Sequence, residues 1–267
     1  MIAMKRWMFF AYGLVCYMLF FAVYAYFCGF TGNLLVPKSI DAPFQPAGAT
    51  AFVVNVALLL AFGWSHSLMA RPGFKRRWTR LVPQPIERST YVLTSCIMLA
   101  LLMWQWQPMP AVVWSFESQA GRALMWALFA TGWLMVPAVS LMISHFDLFG
   151  MRQVWLYLVG RPYEWLPFRT PMLYSRVRHP LYIGWGLAFW AAPTMTAGHL
   201  LFASVLTVYM GLATLVEERD LIAHFGEQYL LYRRSVPRFI PRLRPVEMAH
   251  ATTRLTDEET AAVEPAG

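Results

Sequence analysis

Charged side chains are scarce in this sequence of 267 residues, where they make up only 13% of the chain. Soluble domains contain about 25% charged residues, so this composition excludes an ordinary soluble protein. Hydrophobic residues account for 58% and fall into long runs, which is typical of a protein that crosses a membrane several times. The sequence also lacks an internal repeat and a G-x-G-x-x-G dinucleotide fingerprint.

Cysteine is rare as well, and Cys16, Cys28 and Cys96 all lie in apolar runs. None of them has metal-ligand spacing or an evident disulfide partner. We therefore interpret them as small buried hydrophobic residues, and the sequence predicts no metal site.

The net charge of +8 is distributed over the loops rather than along one continuous stripe, which argues against nucleic-acid binding. Basic residues precede the first apolar run and concentrate in the second loop, the fourth loop and the tail. The positive-inside rule therefore predicts that both termini and these two loops are cytoplasmic. Basic residues at a membrane surface also make membrane lipid an expected partner.

Four apolar runs precede residue 145, and each is about long enough to span a bilayer. They cover residues 7–30, 49–70, 90–106 and 123–144, and the third is the shortest. The first exceeds the apolar core of a cleaved signal peptide and is expected to stay as an anchor. Pro137, in the fourth, is expected to kink its helix, with a neighbouring helix satisfying the carbonyl that the proline leaves free.

The fifth apolar segment is broken between residues 192 and 198, a stretch that contains Pro193 and Gly198. The arm before the break, residues 181–192, reaches only ~18 Å at about 1.5 Å per residue, short of the ~30 Å hydrocarbon core. We therefore predict a helical hairpin that enters and leaves the membrane by the same face. This geometry agrees with the basic residues, because it keeps the fourth loop and the tail on one side.

The predicted fold is all-α and integral to the membrane, with five membrane segments, the last of them the hairpin. Residues 1–145 are expected to form four transmembrane helices with short loops. Residues 146–245 are expected to comprise a proline-rich cytoplasmic linker, the hairpin and a helix that continues to about Tyr232, together forming a pocket. Residues 246–267 are small and acidic, and we predict a disordered tail.

The hairpin would place Arg178, His179 and Pro180, at its start, level with Glu217 and Glu218, at its end. Ionisable groups at membrane depth are energetically expensive and are candidates for a functional site. Carboxylates suit a cationic ligand, since they accept hydrogen bonds from hydroxyl or ammonium groups. The structural alternatives are that the carboxylates lie on a solvated helix face and that His179 only caps the helix that Pro180 begins.

This region resembles the C-terminal signature of the isoprenylcysteine carboxyl methyltransferase superfamily over about 70 residues. The shared positions are Tyr174, Arg178, His179, Pro180, Tyr182, Gly184, Glu217, Glu218, Phe225, Gly226, Tyr229, Tyr232, Val236, Ile240 and Pro241. The resemblance implies an integral membrane methyltransferase with a small cytoplasmic region that binds S-adenosylmethionine. The cofactor-binding residues that it implies are Tyr174, Arg178, His179, Pro180, Tyr182, Gly184, Glu217 and Glu218. Many relatives have glycine where this sequence has Met172, so the turn before Tyr174 is expected to differ.

Further segments extend the resemblance over nearly the whole chain and are similar to bacterial methanethiol S-methyltransferases. These segments are residues 66–72, 83–91, 145–154 and 189–196. The resemblance implies transfer of a methyl group from S-adenosylmethionine to methanethiol, a small volatile thiol, to give dimethyl sulfide. It also implies a location in the bacterial inner membrane.

A thiol acceptor must lose its proton, because the thiolate is the nucleophile. Candidate catalytic bases are His145 and Asp147, at the cytoplasmic end of the fourth span, and His66, near the end of the second. All three are expected to converge on the mouth of the hairpin. The alternative for each is a hydrogen bond between helices or an anchor at the membrane interface.

Three other functions stay open on the sequence alone. The first is methyl transfer to an isoprenyl-cysteine carboxylate or a phospholipid amine, against which the segments shared with the thiol methyltransferases argue. The second is a non-enzymatic membrane assembly or transport factor, which would not bind S-adenosylmethionine. The third is a nicotinamide-dependent reductase with the same hairpin layout. Such reductases need not contain the missing fingerprint, so its absence is weak evidence against them.

Overall fold

The computed structural model describes residues 2–42 and 50–246, which are mostly helical. In chain order the helices are α1 (Ile2–Gly32), α2 (Thr50–Ala70), α3 (Pro72–Trp78), α4 (Gln84–Gln105), α5 (Gln119–Ile143), α6 (His145–Leu148), α7 (Met151–Leu158), α8 (Pro180–Trp190), α9 (Ala197–Phe225) and α10 (Glu227–Ser235). Two short strands are β1 (Val112–Ser115) and β2 (Thr194–Thr196). The tail, for which we predict disorder, lies outside the described residues from position 247 onward.

Within the described residues, five helices, α1, α2, α4, α5 and α9, are long and apolar enough to cross a membrane. They confirm the prediction of a multi-pass helical membrane protein. The third span is longer than its apolar residues indicate, because α4 begins at Gln84 and has 22 residues. The proline in its first turn removes no hydrogen bond, since the first N–H groups of a helix have no partner within it.

Pro137 lies inside α5 and leaves the carbonyl of Trp133, about one turn earlier, without its helical partner. The hydroxyl of Tyr24 in α1 donates a hydrogen bond to this carbonyl at 2.5 Å. A neighbouring helix therefore satisfies the freed carbonyl, as the sequence predicts. The same bond fixes α1 against α5.

Small residues allow α5 and α8 to pack at close range. A Cβ atom at Gly132 would lie 2.4 Å from the backbone nitrogen of Ala188 and 2.7 Å from the carbonyl oxygen of Gly184. A larger residue at this position would force the two helices apart, which is why glycine occupies the crossing.

Buried aromatic rings join α1, α8 and α9. The ring of Phe202 lies 5.2 Å from that of Phe189 and 5.8 Å from those of Phe27 and Trp106. All four side chains are at most 4% exposed. Aromatic pairs at such distances stabilise a fold beyond the area that they bury, so this cluster holds α8 against α9.

The connection from α8 to α9 is held by a two-stranded antiparallel sheet, in which Val112 of β1 lies opposite Thr196 of β2. Thr196 also caps α9, because its hydroxyl accepts a hydrogen bond from the backbone N–H of His199 at 3.1 Å. The break between the two apolar arms is therefore an ordered turn with its own hydrogen bonds.

The continuous helix predicted to run through Tyr232 is interrupted, and that prediction is wrong. Gly226 separates α9 from α10 and has a φ of 58°, in the left-handed region that glycine adopts without steric cost. The change of direction packs Tyr229 and Tyr232 against Phe168 of the linker, with ring centroids 5.9 and 5.4 Å apart.

The linker contains no single long helix, as its prolines predict. It has the short helices α6 and α7, an irregular stretch at residues 161–171 and a 3₁₀ turn at Met172–Ser175. This turn leads directly into the start of α8, where the polar residues singled out in the sequence are found.

Candidate functional site

Glu218 of α9 is the centre of a buried charge cluster. Its Oε1 atom lies 2.8 Å from both Nε and Nη2 of Arg178 and 3.0 Å from Nε2 of His179. Its Oε2 atom lies 3.1 Å from Nη2 of Arg238. Both carboxylate oxygens are thus bonded, and the side chain is only 3% exposed.

The C-terminal segment after α10 returns to the start of α8 through its backbone. The N–H of Arg178 donates to the carbonyl of Pro237 at 2.9 Å, and that of His179 donates to the carbonyl of Arg238 at 3.2 Å. The N–H of Arg242 donates to the carbonyl of Arg176 at 3.0 Å. These bonds bring the guanidinium group of Arg238 to Glu218.

Glu217 has different surroundings from its neighbour. Its side chain is 47% exposed, and the hydroxyl of Tyr182 donates to its Oε2 atom at 2.9 Å. The Nδ1 atom of His179 lies 3.9 Å from the same oxygen. Successive residues of a helix point about 100° apart, so the two carboxylates face different sides of α9. Glu217 is the carboxylate of the pair that remains accessible.

Tyr174 lies in the 3₁₀ turn, and its carbonyl accepts a hydrogen bond from the hydroxyl of Tyr232 at 2.7 Å. Burial, followed by the nearby charge of Glu217, raises the pKa of the Tyr174 phenol. Met172, where the resemblance predicts an altered turn, has a φ of 42°. It therefore adopts the left-handed conformation that glycine favours, at a cost of roughly 1–2 kcal/mol in backbone strain.

The structure brings together six of the eight residues expected to bind a cofactor. They are Tyr174, Arg178, His179, Tyr182, Glu217 and Glu218. Pro180 begins α8 and is buried, as a helix-starting residue. Gly184 lies apart from the carboxylates and faces α5, where a Cβ atom would be 3.3 Å from the carbonyl oxygen of Gly132.

His145 and Asp147 make contacts away from this cluster. The Nε2 atom of His145 lies 2.7 Å from the hydroxyl of Tyr17, and its Nδ1 atom lies 2.7 Å from that of Ser140. Burial lowers the pKa of His145, which favours the neutral ring. Asp147 pairs with Arg152 at 2.9 Å. Among the described residues, no hydrogen bond that we observe joins either of them to Glu217 or Glu218.

His66 lies between α2 and α4, with Nδ1 3.0 Å from the hydroxyl of Ser95 and Nε2 2.8 Å from that of Tyr91. Five residues after His66, Nη1 of Arg71 lies 3.0 Å from Oδ2 of Asp220, which is three residues after Glu217 on α9. This ion pair ties the end of α2 that contains His66 to the end of α9 that contains Glu217. Of the three candidate bases, His66 is the one that we observe, among the described residues, on a helix bonded to α9.

Sequence reasoning missed three polar residues near the site: Tyr91, Tyr209 and Arg238. A usable signal existed for the two tyrosines, since a buried phenol within an apolar helix requires a hydrogen-bond partner. Tyr209 indeed bonds to Ser67 of α2 at 2.9 Å between the two hydroxyl oxygens. For metal binding, residues 2–42 and 50–246 contain no cluster of three or more His, Cys, Asp or Glu side chains.

The chain is similar to curated methanethiol S-methyltransferases over most of its length. It is 49% identical over 238 residues to the enzyme of Mycobacterium tuberculosis, covering 89% of this chain and 98% of that protein. It is 49% identical over 230 residues to that of Crocosphaera subtropica, covering 86% and 90% respectively. A Nurim homolog of Drosophila pseudoobscura pseudoobscura is more distant, at 32% identity over 195 residues, 70% of this chain and 75% of that protein.

Neither the family models nor the solved structures include a match to this chain. The family is nevertheless shown by the curated relatives, because identity near one half extends over almost the full length of both sequences. The chain belongs to the methanethiol S-methyltransferase family.

Proposed function

We propose that this protein transfers a methyl group from S-adenosylmethionine to methanethiol and releases dimethyl sulfide. The observation that carries the proposal is the 49% identity, over 238 residues, to a protein named for this reaction. The five apolar helices agree with it, since methanethiol is small and apolar and partitions into a bilayer.

The cofactor would lie at the end of the bundle where α8 begins and α9 ends. This end would face the cytoplasmic side of the bacterial inner membrane, and both termini would be on the same side. In this arrangement α8 and α9 form a hairpin that enters and leaves by one face. Two pairs of contacts support it. Phe189 packs on Phe202 near the turn, and Tyr182 bonds Glu217 near the open end.

The accessible carboxylate of Glu217 would bind S-adenosylmethionine, because a carboxylate can accept hydrogen bonds from the hydroxyl and ammonium groups of this cofactor. Tyr182 and Tyr174 would fix that carboxylate and line the same side. Glu218 would act differently, because both of its oxygens are already bonded and its side chain is buried. It would assemble the site by joining α8, α9 and the C-terminal segment, with Gly184 keeping α8 against α5.

When bound, S-adenosylmethionine would supply a methyl group on a cationic sulfonium, which a thiolate would accept in a displacement that cancels both charges and leaves the neutral thioether S-adenosylhomocysteine. An apolar surrounding favours such a step, and the buried aromatic residues of α8 and α9 provide one. His66 is the base that we favour for the proton of the thiol, with His145 and Asp147 as the other candidates. A neutral imidazole can accept that proton, and Tyr91 holds its ring in place.

The test is headspace gas chromatography on the purified protein in detergent, supplied with S-adenosylmethionine and methanethiol. We expect dimethyl sulfide from the parent protein and from Glu227→Ala, an exposed acidic residue of α10. We expect its loss from Glu217→Ala.

Calorimetry with S-adenosylmethionine separates the remaining outcomes. Cofactor binding without product would indicate that the methyl acceptor is a lipid amine or a prenylated cysteine carboxylate instead of methanethiol. The absence of both product and cofactor binding would overturn the proposal and favour a non-enzymatic membrane factor.

A further inference from the structure

An open apolar groove runs between α2 and α9 on the surface of the bundle and has a volume of about 1030 Å³. Its walls are mostly aliphatic or small side chains, and the lining side chains with polar atoms are Trp64, Ser67, Arg71, Ser204 and Tyr209. Both helices are candidate membrane spans, so a groove between them faces the hydrocarbon interior. It is the kind of surface along which a small apolar molecule leaves the bilayer.

The ring of Tyr209 is held in the wall of this groove by two contacts. Its hydroxyl lies 2.9 Å from that of Ser67, and its face covers Gly63, where a Cβ atom would be 3.1 Å from Cδ2 of the ring. The absence of a side chain at Gly63 lets the ring pack there, and the hydrogen bond fixes the hydroxyl end. Tyr209 is therefore a rigid part of the wall rather than a side chain that adapts to what lies beside it.

The groove that Tyr209 lines extends to the candidate site. Val216, the residue before Glu217, lines the groove, and so does Ser67, the residue after His66. The hydroxyl of Tyr209 is within hydrogen-bond distance of that of Ser67. The ring thus stands in the groove wall beside residues that flank the groups we assign to the cofactor and to the base.

We infer that the groove is the access route of the thiol and that Tyr209 sets the size of the thiol that is accepted. This inference rests on the proposed methyl transfer. A fixed ring in the wall of this apolar route would leave room for a one-carbon thiol and exclude longer alkyl chains. Pockets that discriminate by one methylene typically do so by about 10- to 200-fold, so a substitution at this ring has a measurable consequence.

The experiment compares kcat/KM for methanethiol and 1-butanethiol, with the methyl sulfide products measured by headspace gas chromatography. For Tyr209→Ala we expect the butanethiol-to-methanethiol ratio to rise by about tenfold or more. Tyr209→Phe keeps the ring and should keep the ratio of the parent. Phe52→Ala removes an exposed ring of α2 that does not line the groove, so it should also keep the parent's ratio.

Gly63→Ala is the second variant, for use if Tyr209→Ala does not fold. Its methyl group would add volume to the groove lining beside the ring, so we expect a lower ratio of ethanethiol to methanethiol turnover. An unchanged ratio in a folded variant would overturn the inference, as would loss of activity with every thiol when the cofactor still binds. A parent protein that methylates no thiol would instead overturn the proposed function, so the two failures are distinguishable.

Discussion

Replacing Glu218 with glutamine should destabilise the fold more than any other single change at the site. The substitution keeps the shape of the side chain but removes the charge that faces Arg178, His179 and Arg238. Arg178 is the critical partner, because its side chain is only 8% exposed and would stay buried without a counter-charge. Removing one member of a buried ion pair typically costs about 3–5 kcal/mol, and we expect a loss of that size in the free energy of unfolding.

Glu217→Gln is the matched variant, because it makes the same chemical change one residue away. Its side chain is 47% exposed, so the loss of stability should be less than about 1 kcal/mol. Its effect should fall on the cofactor instead. A hydrogen bond to a charged group contributes ~1.5–3 kcal/mol, so S-adenosylmethionine should bind about 10- to 100-fold more weakly.

Both quantities can be measured on the protein in detergent. Denaturant unfolding followed by the fluorescence of the 12 tryptophans reports stability, and calorimetry reports the affinity for S-adenosylmethionine. The double variant Glu218→Gln/Arg178→Met should regain part of the lost stability, since it removes the buried guanidinium and leaves only Arg238, whose side chain is 34% exposed, without a counter-charge. The reasoning is refuted if Glu218→Gln unfolds at the same denaturant concentration as the parent, or if the two single variants lose stability equally.

Three smaller predictions concern the framework around the site, and each is checked by the same unfolding measurement. Gly132→Ala should lower stability by about 1–3 kcal/mol or more through overpacking against α8, whereas Gly211→Ala, with open space around it, should not. Tyr24→Phe should cost about 1–3 kcal/mol, because it leaves the buried carbonyl of Trp133 unsatisfied. Met172→Gly should be within about 1 kcal/mol of the parent, while Met172→Val should be clearly destabilised, since a β-branched residue tolerates a φ of 42° poorly. The first prediction is contradicted if the Gly132 and Gly211 variants are equally stable. The second is contradicted if Tyr24→Phe is as stable as the parent, and the third if the two Met172 variants are equally stable.

The membrane helices were predictable because their signal is local and one-dimensional. A run of apolar residues needs no knowledge of its neighbours to be recognised as a span, and even the partner required by Pro137 follows from hydrogen-bond accounting. The start of α4 was harder to predict from the sequence, because its first turn is polar and contains proline. The contact of His179 with Glu218 could also be predicted, since a break in one apolar segment limits where its two ends can lie.

The remaining features depend on contacts between distant parts of the chain. Arg238 reaches Glu218 only because the segment after α10 pairs its backbone with residues 176–179. That return requires the turn at Gly226, whose positive φ separates two helices that read as one in the sequence. Tyr209 gains its position from Gly63 and Ser67 on another helix. No periodicity within a single segment encodes these pairings.

The adjacent carboxylates show why a sequence motif can name a site without assigning its roles. Glu217 and Glu218 have the same chemistry and neighbouring positions, so any pattern treats them as one unit. The helix separates them by about 100°, which turns Glu218 toward three basic or imidazole side chains and leaves Glu217 facing outward beside Tyr182. The buried one is saturated by protein groups and holds three chain segments together. The accessible one is thereby positioned for a ligand, so the role of each carboxylate depends on the presence of the other.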